Sequence, residues 1–185
     1  MYRFFMGAGC RSTHSDEVVL PSVPDGSGAL SEKVREIIRL SLGGDLDFVF
    51  FCDSDTYVHV PRLMASGFET HDYVGCVGDS SVYDNKTMCC AGSGFWLSKK
   101  AMTHLKNAAI GENGLLGAGC DDWWIFHTLY RFGIFAFNDD RYRANRPIPG
   151  QGPTPENDYI ILHDSSRSLR DPHLMREAHK AAKCL

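Results

Sequence analysis

Apolar residues recur at helical spacing in several stretches of the chain. The stretch 30–42 has apolar residues three and four positions apart, which predicts an amphipathic helix. Ser27 is the expected cap at its start, and Gly43 with Gly44 is the expected stop. Further helices are predicted from Ser98 to about Lys106, from Asp121 or Asp122 onward, over 172–182, and as one or two turns over 61–66.

Shorter apolar runs between the helices predict β-strands. They cover 2–6, 18–20, 47–52, 73–77, 134–137 and 159–162. Because strands alternate with helices, the pattern predicts an α/β fold in a single domain over residues 1–185. The stretch 138–158 is rich in Pro, Gly, Asn and Arg and is predicted to be a loop.

The most informative stretch joins one apolar run to two carboxylates. Phe48 to Phe51 are apolar and precede Cys52-Asp53-Ser54-Asp55, which indicates a buried strand that ends at a polar edge. Ligands of open α/β sheets bind at the carboxyl ends of the strands. Two aspartates there repel each other unless a cation lies close, and Mg2+ or Mn2+ binds carboxylate oxygens and bridges to phosphate. The alternative is a plain turn or helix cap that holds two aspartates.

Composition narrows the class of protein. The chain has 185 residues, of which 43% are hydrophobic and 23% charged, and its net charge of −4 attracts neither nucleic acid nor anionic membrane as a whole. It contains no run of about 18 apolar residues and no signal-peptide pattern, so we expect a cytoplasmic protein without a membrane span. The seven cysteines include no Cys-x-x-Cys pair, which favours buried free thiols over a zinc site.

Three further groups of residues stand at predicted element edges. They are Gly92-Ser93-Gly94 before Phe95-Trp96-Leu97-Ser98, Cys120-Asp121-Asp122-Trp123-Trp124, and Ile160-Ile161-Leu162-His163-Asp164. With Asp53–Val58, and in this order, these motifs resemble the fringe-like and β-1,3-galactosyltransferase-type families of glycosyltransferases over about residues 1–165. The resemblance implies a GT-A fold, in which a Rossmann-like mixed sheet is flanked by helices. It also implies inverting, metal-dependent transfer from a nucleotide sugar, expected to be a UDP-sugar, to an acceptor hydroxyl.

The same resemblance implies roles for individual residues. Asp55 is the expected ligand of Mn2+ or Mg2+, with Asp53 on metal-bound water or the donor ribose and His163 as a further ligand. Asp122 is the expected base at the acceptor hydroxyl, with Asp121 beside it. The residues expected at the donor are Gly7, Lys33, Asp53, Ser54, Asp55, Gly92 and Gly94.

Elementary chemistry is compatible with these roles and leaves alternatives open. A divalent ion offsets the charge on a diphosphate leaving group, and direct displacement needs one base. Two adjacent acids can raise one another's pKa toward neutrality, which suits a base. The alternative for His163 is a surface residue that closes a strand, and the alternative for Asp121 and Asp122 is a pair of acids favoured by a helix N-terminus. Gly92 and Gly94 are alternatively plain turn residues, and Lys33 alternatively lies on a solvated helix face.

Three tryptophans are candidates either for stacking or for the core. Trp123 and Trp124 are expected to stack on the acceptor sugar or base. Because they are adjacent on a predicted helix, only one of them can face the core squarely. Trp96 is expected in the core.

The chain also departs from the family it resembles. The match begins after the family's first strand–helix unit with its Arg-rich helix, so either that unit is missing or the strand over 2–6 has taken its place. The family's membrane anchor and paired cysteines have no counterpart in this sequence. We therefore expect a minimal, soluble relative, truncated at the N-terminus and of viral or bacterial origin. The basic run Arg141–Arg146 makes a hydroxylated DNA base one candidate acceptor, beside a glycan or a small molecule, whereas a solvated loop is the alternative.

Two other classes of protein remain open. The Asp-x-Asp stretch also resembles phosphatases of the haloacid dehalogenase type. Those have Thr or Val two residues after the second aspartate, where this chain has Tyr57. The non-enzymatic alternative is a module that binds a nucleotide sugar or carbohydrate without turnover.

Overall fold

The computed structural model of the protein describes residues 2–77, 88–89, 91–111, 121–143 and 160–163. The elements in chain order are β1 Phe4–Ala8, β2 Glu17–Pro24, α1 Leu30–Gly43, β3 Phe48–Phe51, β4 Thr56–Val58, α2 Val60–Met64, β5 Tyr73–Gly75, β6 Phe95–Ser98, α3 Lys99–Leu105, α4 Asp121–Tyr130, β7 Phe137–Asn138, β8 Tyr142–Arg143 and β9 Ile161–His163. Short 3-10 turns cover Ser27–Ala29, Phe68–Thr70 and Ala91–Ser93.

The chain forms two compact units. Unit 1 comprises Met1–Val49 and Ser98–Ile134, and unit 2 comprises Phe50–Leu97 and Phe135–Leu185. The boundary falls within β3. The prediction of one domain over residues 1–185 stays a prediction. No helix in the described ranges is long and apolar enough to cross a membrane.

Unit 1 contains the parallel strands β1 and β2 and the helices α1, α3 and α4. The strands pair from Phe4 opposite Glu17 to Ala8 opposite Pro24. α1 contacts β2, α3 and α4 because its apolar residues lie along one face, as the sequence spacing predicts. The large apolar side chains with 2% exposure or less form the centre of this core: Leu20, Ile38, Met102, Leu105, Ile125 and Leu129. Full burial of such a side chain is worth about 1.5–3 kcal/mol.

Unit 2 is built on two small sheets and an aromatic core. One sheet has the strand order β3-β6-β5-β7, and the other has the order β4-β9-β8. Because β5 is antiparallel to β6 and parallel to β7, the first sheet is mixed. Trp96 stacks on Phe68 with ring centroids 3.7 Å apart, and its Nε1 donates to the Tyr142 hydroxyl at 3.1 Å. Trp96 is 6% exposed, which confirms it as a core residue.

Several sequence predictions of secondary structure are confirmed. The fold is mixed α/β. α1 covers the predicted stretch 30–42, and α4 opens at Asp121. Ser98 caps α3, because its Oγ accepts a hydrogen bond from the Ala101 amide at 3.2 Å.

Other predictions need correction. Ser27 does not cap α1, because a 3-10 turn intervenes and α1 begins after Ala29 without a side-chain cap. The strand expected over 134–137 is only Phe137–Asn138, and a strand, β8, lies inside the expected loop 138–158. Both short strands exist through pairing with distant partners, which local patterns do not report. The helix expected over 172–182 lies outside the described residues.

Candidate functional site

The acidic residues predicted as a metal motif form a turn between β3 and β4. We call Asp53-Ser54-Asp55 the acidic turn. The amide of Thr56 donates to the Asp53 carbonyl at 3.2 Å and closes it. Asp53 and Ser54 are exposed, and Asp55 is half-buried. The apolar strand before the turn is half-buried rather than buried, because β3 is an edge strand of the described sheet.

The two carboxylates of the acidic turn set the electrostatics at the end of β3. Cys52 precedes them and is exposed as a whole residue, and of the described cysteines only Cys89 is buried. The thiol group itself is surrounded by other protein atoms, which shield it from water. This desolvation, followed by the negative charges of Asp53 and Asp55, raises the pKa of Cys52 to about 11. The two carboxylates thus place negative charge near the Cys52 thiol at this strand end.

The strand after the acidic turn pairs with the end of β9. In the antiparallel ladder of β4 and β9, Thr56 lies opposite His163 and Tyr57 lies opposite Leu162. Residues directly opposite in such a ladder have Cα atoms about 4.5–5.5 Å apart. The backbone of His163 is thus a direct neighbour of the residue that follows Asp55. The side chain of His163 lies outside the described part of the chain.

The segment Gly92-Ser93-Gly94, which we call the glycine segment, belongs to the same neighbourhood. Thr56 is 8% exposed, and its Oγ1 donates to the Gly92 carbonyl oxygen at 2.6 Å. The 3-10 turn Ala91–Ser93 also contacts β9. Ser93 is fully buried, and its hydroxyl has no hydrogen-bond partner within the described ranges. Unit 2 therefore brings together the acidic turn, the glycine segment and the end of β9.

Gly94 has a local structural reason for being glycine. Its φ of +85° lies in the left-handed region, which side chains disfavour. A Cβ there would overlap the ring of Phe50 and come within 2.8 Å of the Phe51 carbonyl oxygen. The glycine lets β6 begin tightly against the end of β3, directly before the acidic turn. Between the two interpretations of Gly94 left open by the sequence, the geometry favours the turn residue.

The acidic turn has too few carboxylates to surround a cation, so substrate and water would have to supply most of the coordinating oxygens. Within the described residues, no group of three or more His, Cys, Asp or Glu side chains could hold a metal ion. Mg2+ is commonly bound through one or two carboxylates, and water and substrate phosphates supply its remaining oxygens. Asp53 and Asp55 fit this type of site, whereas a site built entirely from described protein ligands does not.

In unit 1, Lys33 and Gly7 meet at Asp25. One carboxylate oxygen of Asp25, Oδ1, accepts from Lys33 Nζ at 2.8 Å and from the Gly7 amide at 2.9 Å. The lysine hydrogen bond and then the amide hydrogen bond lower the pKa of Asp25 to about 2. A Cβ on Gly7 would lie 2.6 Å from the Pro24 carbonyl carbon, so only glycine fits. Lys33 is 17% exposed and paired, so it is not a solvated face residue.

The acidic pair and the two adjacent tryptophans lie on α4 in unit 1. Asp121 and Asp122 occupy its first turn and are half-buried. Trp124 is 8% exposed, and its Nε1 donates to the Ala109 carbonyl at 3.2 Å. Trp123 is half-buried and stacks on His127 with centroids 4.8 Å apart. The expectation that only one of the two tryptophans faces the core squarely is confirmed.

The first residue of the basic run is already paired. Arg141 donates from Nε and Nη2 to the two carboxylate oxygens of Asp139 at 2.8 and 2.6 Å. Its charge is thereby offset within unit 2. The run continues through Arg146, and residues 144–146 lie outside the described chain.

Sequence reasoning missed one residue that joins the predicted motifs. Thr56 links the acidic turn to the glycine segment through its hydroxyl and to His163 through its backbone register. Two features of the sequence could have indicated its role. Thr56 is a hydroxyl residue directly after the second aspartate, and it begins the short stretch Thr56-Tyr57-Val58, whose residues favour a β-strand.

Comparison with known proteins does not assign the chain to a family. No protein-family model matches the chain, and no curated protein matches it significantly. The resemblance to glycosyltransferases therefore depends on the motifs and on the geometry around them.

Proposed function

We propose that the protein is a metal-dependent glycosyltransferase with a GT-A fold. It would transfer a sugar from a UDP-sugar to an acceptor hydroxyl with inversion. The observation that carries this proposal is the pairing of Thr56 with His163, because it joins the acidic turn to a histidine far along the chain. The hydrogen bond from Thr56 to Gly92 adds a third predicted motif to the same place.

The acidic turn supplies the donor chemistry in this proposal. Asp55 and Asp53 would hold Mn2+ or Mg2+, which when bound offsets the negative charge of the diphosphate leaving group. Asp53 is exposed, so its carboxylate is accessible to water and to the ribose hydroxyl groups of the sugar nucleotide. The hydrogen bonds from Thr56 to the Asp53 and Gly92 carbonyls would restrain this turn before the donor binds, which would reduce the cost of ordering it.

The proposal assigns proton removal to Asp122 through the match to the family's acidic pair. A carboxylate within hydrogen-bond reach of the acceptor hydroxyl takes its proton as the new bond forms. Asp122 is half-buried at the start of α4, so water does not fully surround it. Asp121 would act as its neighbour, and Trp123, the less buried tryptophan, would contact the acceptor.

The test is release of UDP from UDP-glucose, UDP-galactose and UDP-N-acetylglucosamine in the presence of Mn2+. We expect slow hydrolysis that Asp55→Ala reduces at least about 100-fold, because the loss of about 3 kcal/mol of charge stabilisation corresponds to that factor. Asp140→Ala, which removes an exposed aspartate of the same unit outside the acidic turn, is the matched control. Asp122→Asn should retain UDP binding and lose transfer.

Two results would change the assignment. If UDP-sugars bind but are never hydrolysed or transferred, the protein is a binding module. If the protein hydrolyses phosphate monoesters and leaves every UDP-sugar intact, the phosphatase alternative replaces the glycosyltransferase.

A further inference from the structure

A pocket of about 370 Å3 opens in unit 2 beside β5 and β7. None of its lining residues belongs to the acidic turn or the glycine segment, and Arg141 is the one member of the basic run in its wall. We call it the Phe137 pocket. The residues that matter for its chemistry are Phe68, Thr70, His71, Phe137, Asp139 and Arg141. Its volume lies within the range of about 300–1,000 Å3 that is usual for small-molecule sites.

One wall of the pocket offers an aromatic surface. His71 and Phe137 stack with ring centroids 3.7 Å apart and planes 12° apart. Phe137 is 46% exposed, whereas Phe68 is 5% exposed. An exposed, pre-stacked ring beside a cavity suits a ligand with an apolar face, because the ring loses little freedom when it is covered.

The wall of the pocket contains two charged side chains of opposite sign, and their charges cancel. Arg141 and Asp139 form a two-pronged ion pair, and Arg141 Nη2 also donates to the Ser66 carbonyl at 3.0 Å. The Asp139 side chain is only 11% exposed, so the pair is held close in the wall. A phosphate would have to compete with the Asp139 carboxylate for the guanidinium. The wall therefore disfavours anions.

The polar atoms near the cavity favour a ligand rich in hydrogen-bond donors. The hydroxyl hydrogen of Thr70 is used on the Gly67 carbonyl at 2.9 Å, which leaves its oxygen lone pairs as acceptors. The Asp139 carboxylate has about four acceptor positions, and the amide, Nε and Nη2 of Arg141 occupy three of them. About one position, on Oδ2, is left for a donor of the ligand. A neutral ligand with an apolar ring face and several hydroxyl groups matches this wall. A nucleobase, which carries several acceptors of its own, matches it less well.

We propose that the Phe137 pocket binds a monosaccharide unit, with the sugar ring stacked on the Phe137 side and its hydroxyls donating to Thr70 and Asp139. The proposal is argued from the walls of the pocket and does not depend on glycosyltransferase activity. The pocket is lined by residues within 66–74 and 137–141, whereas the acidic turn is Asp53-Ser54-Asp55. It is therefore a saccharide site additional to the one proposed for the donor.

The test is saturation-transfer NMR with the full chain and four separate probes: methyl β-galactoside, methyl β-glucoside, methyl α-mannoside and N-acetylglucosamine. Adenosine serves as the planar-ring probe. We expect at least one sugar to bind in the millimolar range, with transfer strongest to the protons of one ring face. Phe137→Leu keeps an apolar side chain and removes the ring, and it should weaken binding at least about tenfold. Phe135→Ala removes an exposed aromatic outside the pocket and should leave binding unchanged.

Asp55→Ala separates this proposal from the proposed function. Sugar binding should survive in Asp55→Ala even where hydrolysis of a UDP-sugar is lost. If the sugar signal disappears in Asp55→Ala and persists in Phe137→Leu, the sugar binds at the acidic turn and the pocket proposal is wrong. The proposal is also overturned if no sugar binds the folded protein, or if adenosine alone binds in a Phe137-dependent way.

Discussion

Replacement of Gly94 by alanine tests whether the start of β6 must pack tightly against the end of β3. Two costs add at this position. A left-handed φ costs an L-residue about 1–2 kcal/mol. Overpacking costs a further ~1–3 kcal/mol, since the new Cβ would meet the ring of Phe50 and lie 2.8 Å from the Phe51 carbonyl oxygen. The Phe50 ring has little room to move away, because it contacts Trp96 with centroids 5.4 Å apart.

Urea unfolding measures this effect, and Gly67→Ala is the matched control. Gly67 also has a positive φ of +79°, but a Cβ there would have no neighbour within 4 Å. We expect Gly67→Ala to lower the free energy of unfolding by about 1–2 kcal/mol and Gly94→Ala to lower it by about 2–5 kcal/mol. Equal losses in the two variants would refute the close approach of β6 to β3 that we describe.

Three further predictions concern single residues. Thr56→Val removes the donor to the carbonyl of the half-buried Gly92 and should cost about 0.5–1.5 kcal/mol. Thr103→Val, which removes an exposed hydroxyl, should cost under about 0.5 kcal/mol, and thermal unfolding distinguishes the two variants. The folded pKa of Asp25, about 2, lies below its ordinary 3.8, so its contribution to stability is present above about pH 4 and is lost as the pH falls towards 2. Urea unfolding across this window should show the difference between wild type and Asp25→Asn shrink with falling pH, and a constant difference would contradict it. With a pKa of about 11 against an ordinary 9.0, Cys52 has roughly 100-fold less thiolate at pH 8, and the greater nucleophilicity of that thiolate recovers part of the loss. Cys52 should therefore react with iodoacetamide roughly tenfold more slowly than an unperturbed cysteine, and a normal rate by mass spectrometry would refute that shift.

The helices of this protein could be predicted because their signals are local. The apolar spacing over 30–42 reports the buried face of α1 directly. Ser98 predicts the start of α3 because a cap needs only the amides of the next turn. The acidic turn was recognised for the same reason, since an apolar run followed by two aspartates is contiguous in sequence.

The missed elements depend on partners that are distant in sequence. β4 and β8 have three and two residues, and both exist as strands because β9 pairs with them. The pairing of Lys33 with Asp25 follows from the approach of β2 and α1, so the sequence could not separate a paired lysine from a solvated one. The Phe137 pocket combines residues 66–74 with residues 137–141, and no single stretch carries its pattern.

The central claim is that the acidic turn holds a divalent cation together with a pyrophosphate. Calorimetric titration of UDP into the protein, with Mn2+ and with EDTA, tests this claim without requiring turnover. We predict that Mn2+ tightens UDP binding at least about tenfold in the wild type and in Asp140→Ala, and that Asp55→Ala loses this gain. UDP affinity that is the same with Mn2+ and with EDTA, or a gain that persists in Asp55→Ala, would contradict the claim.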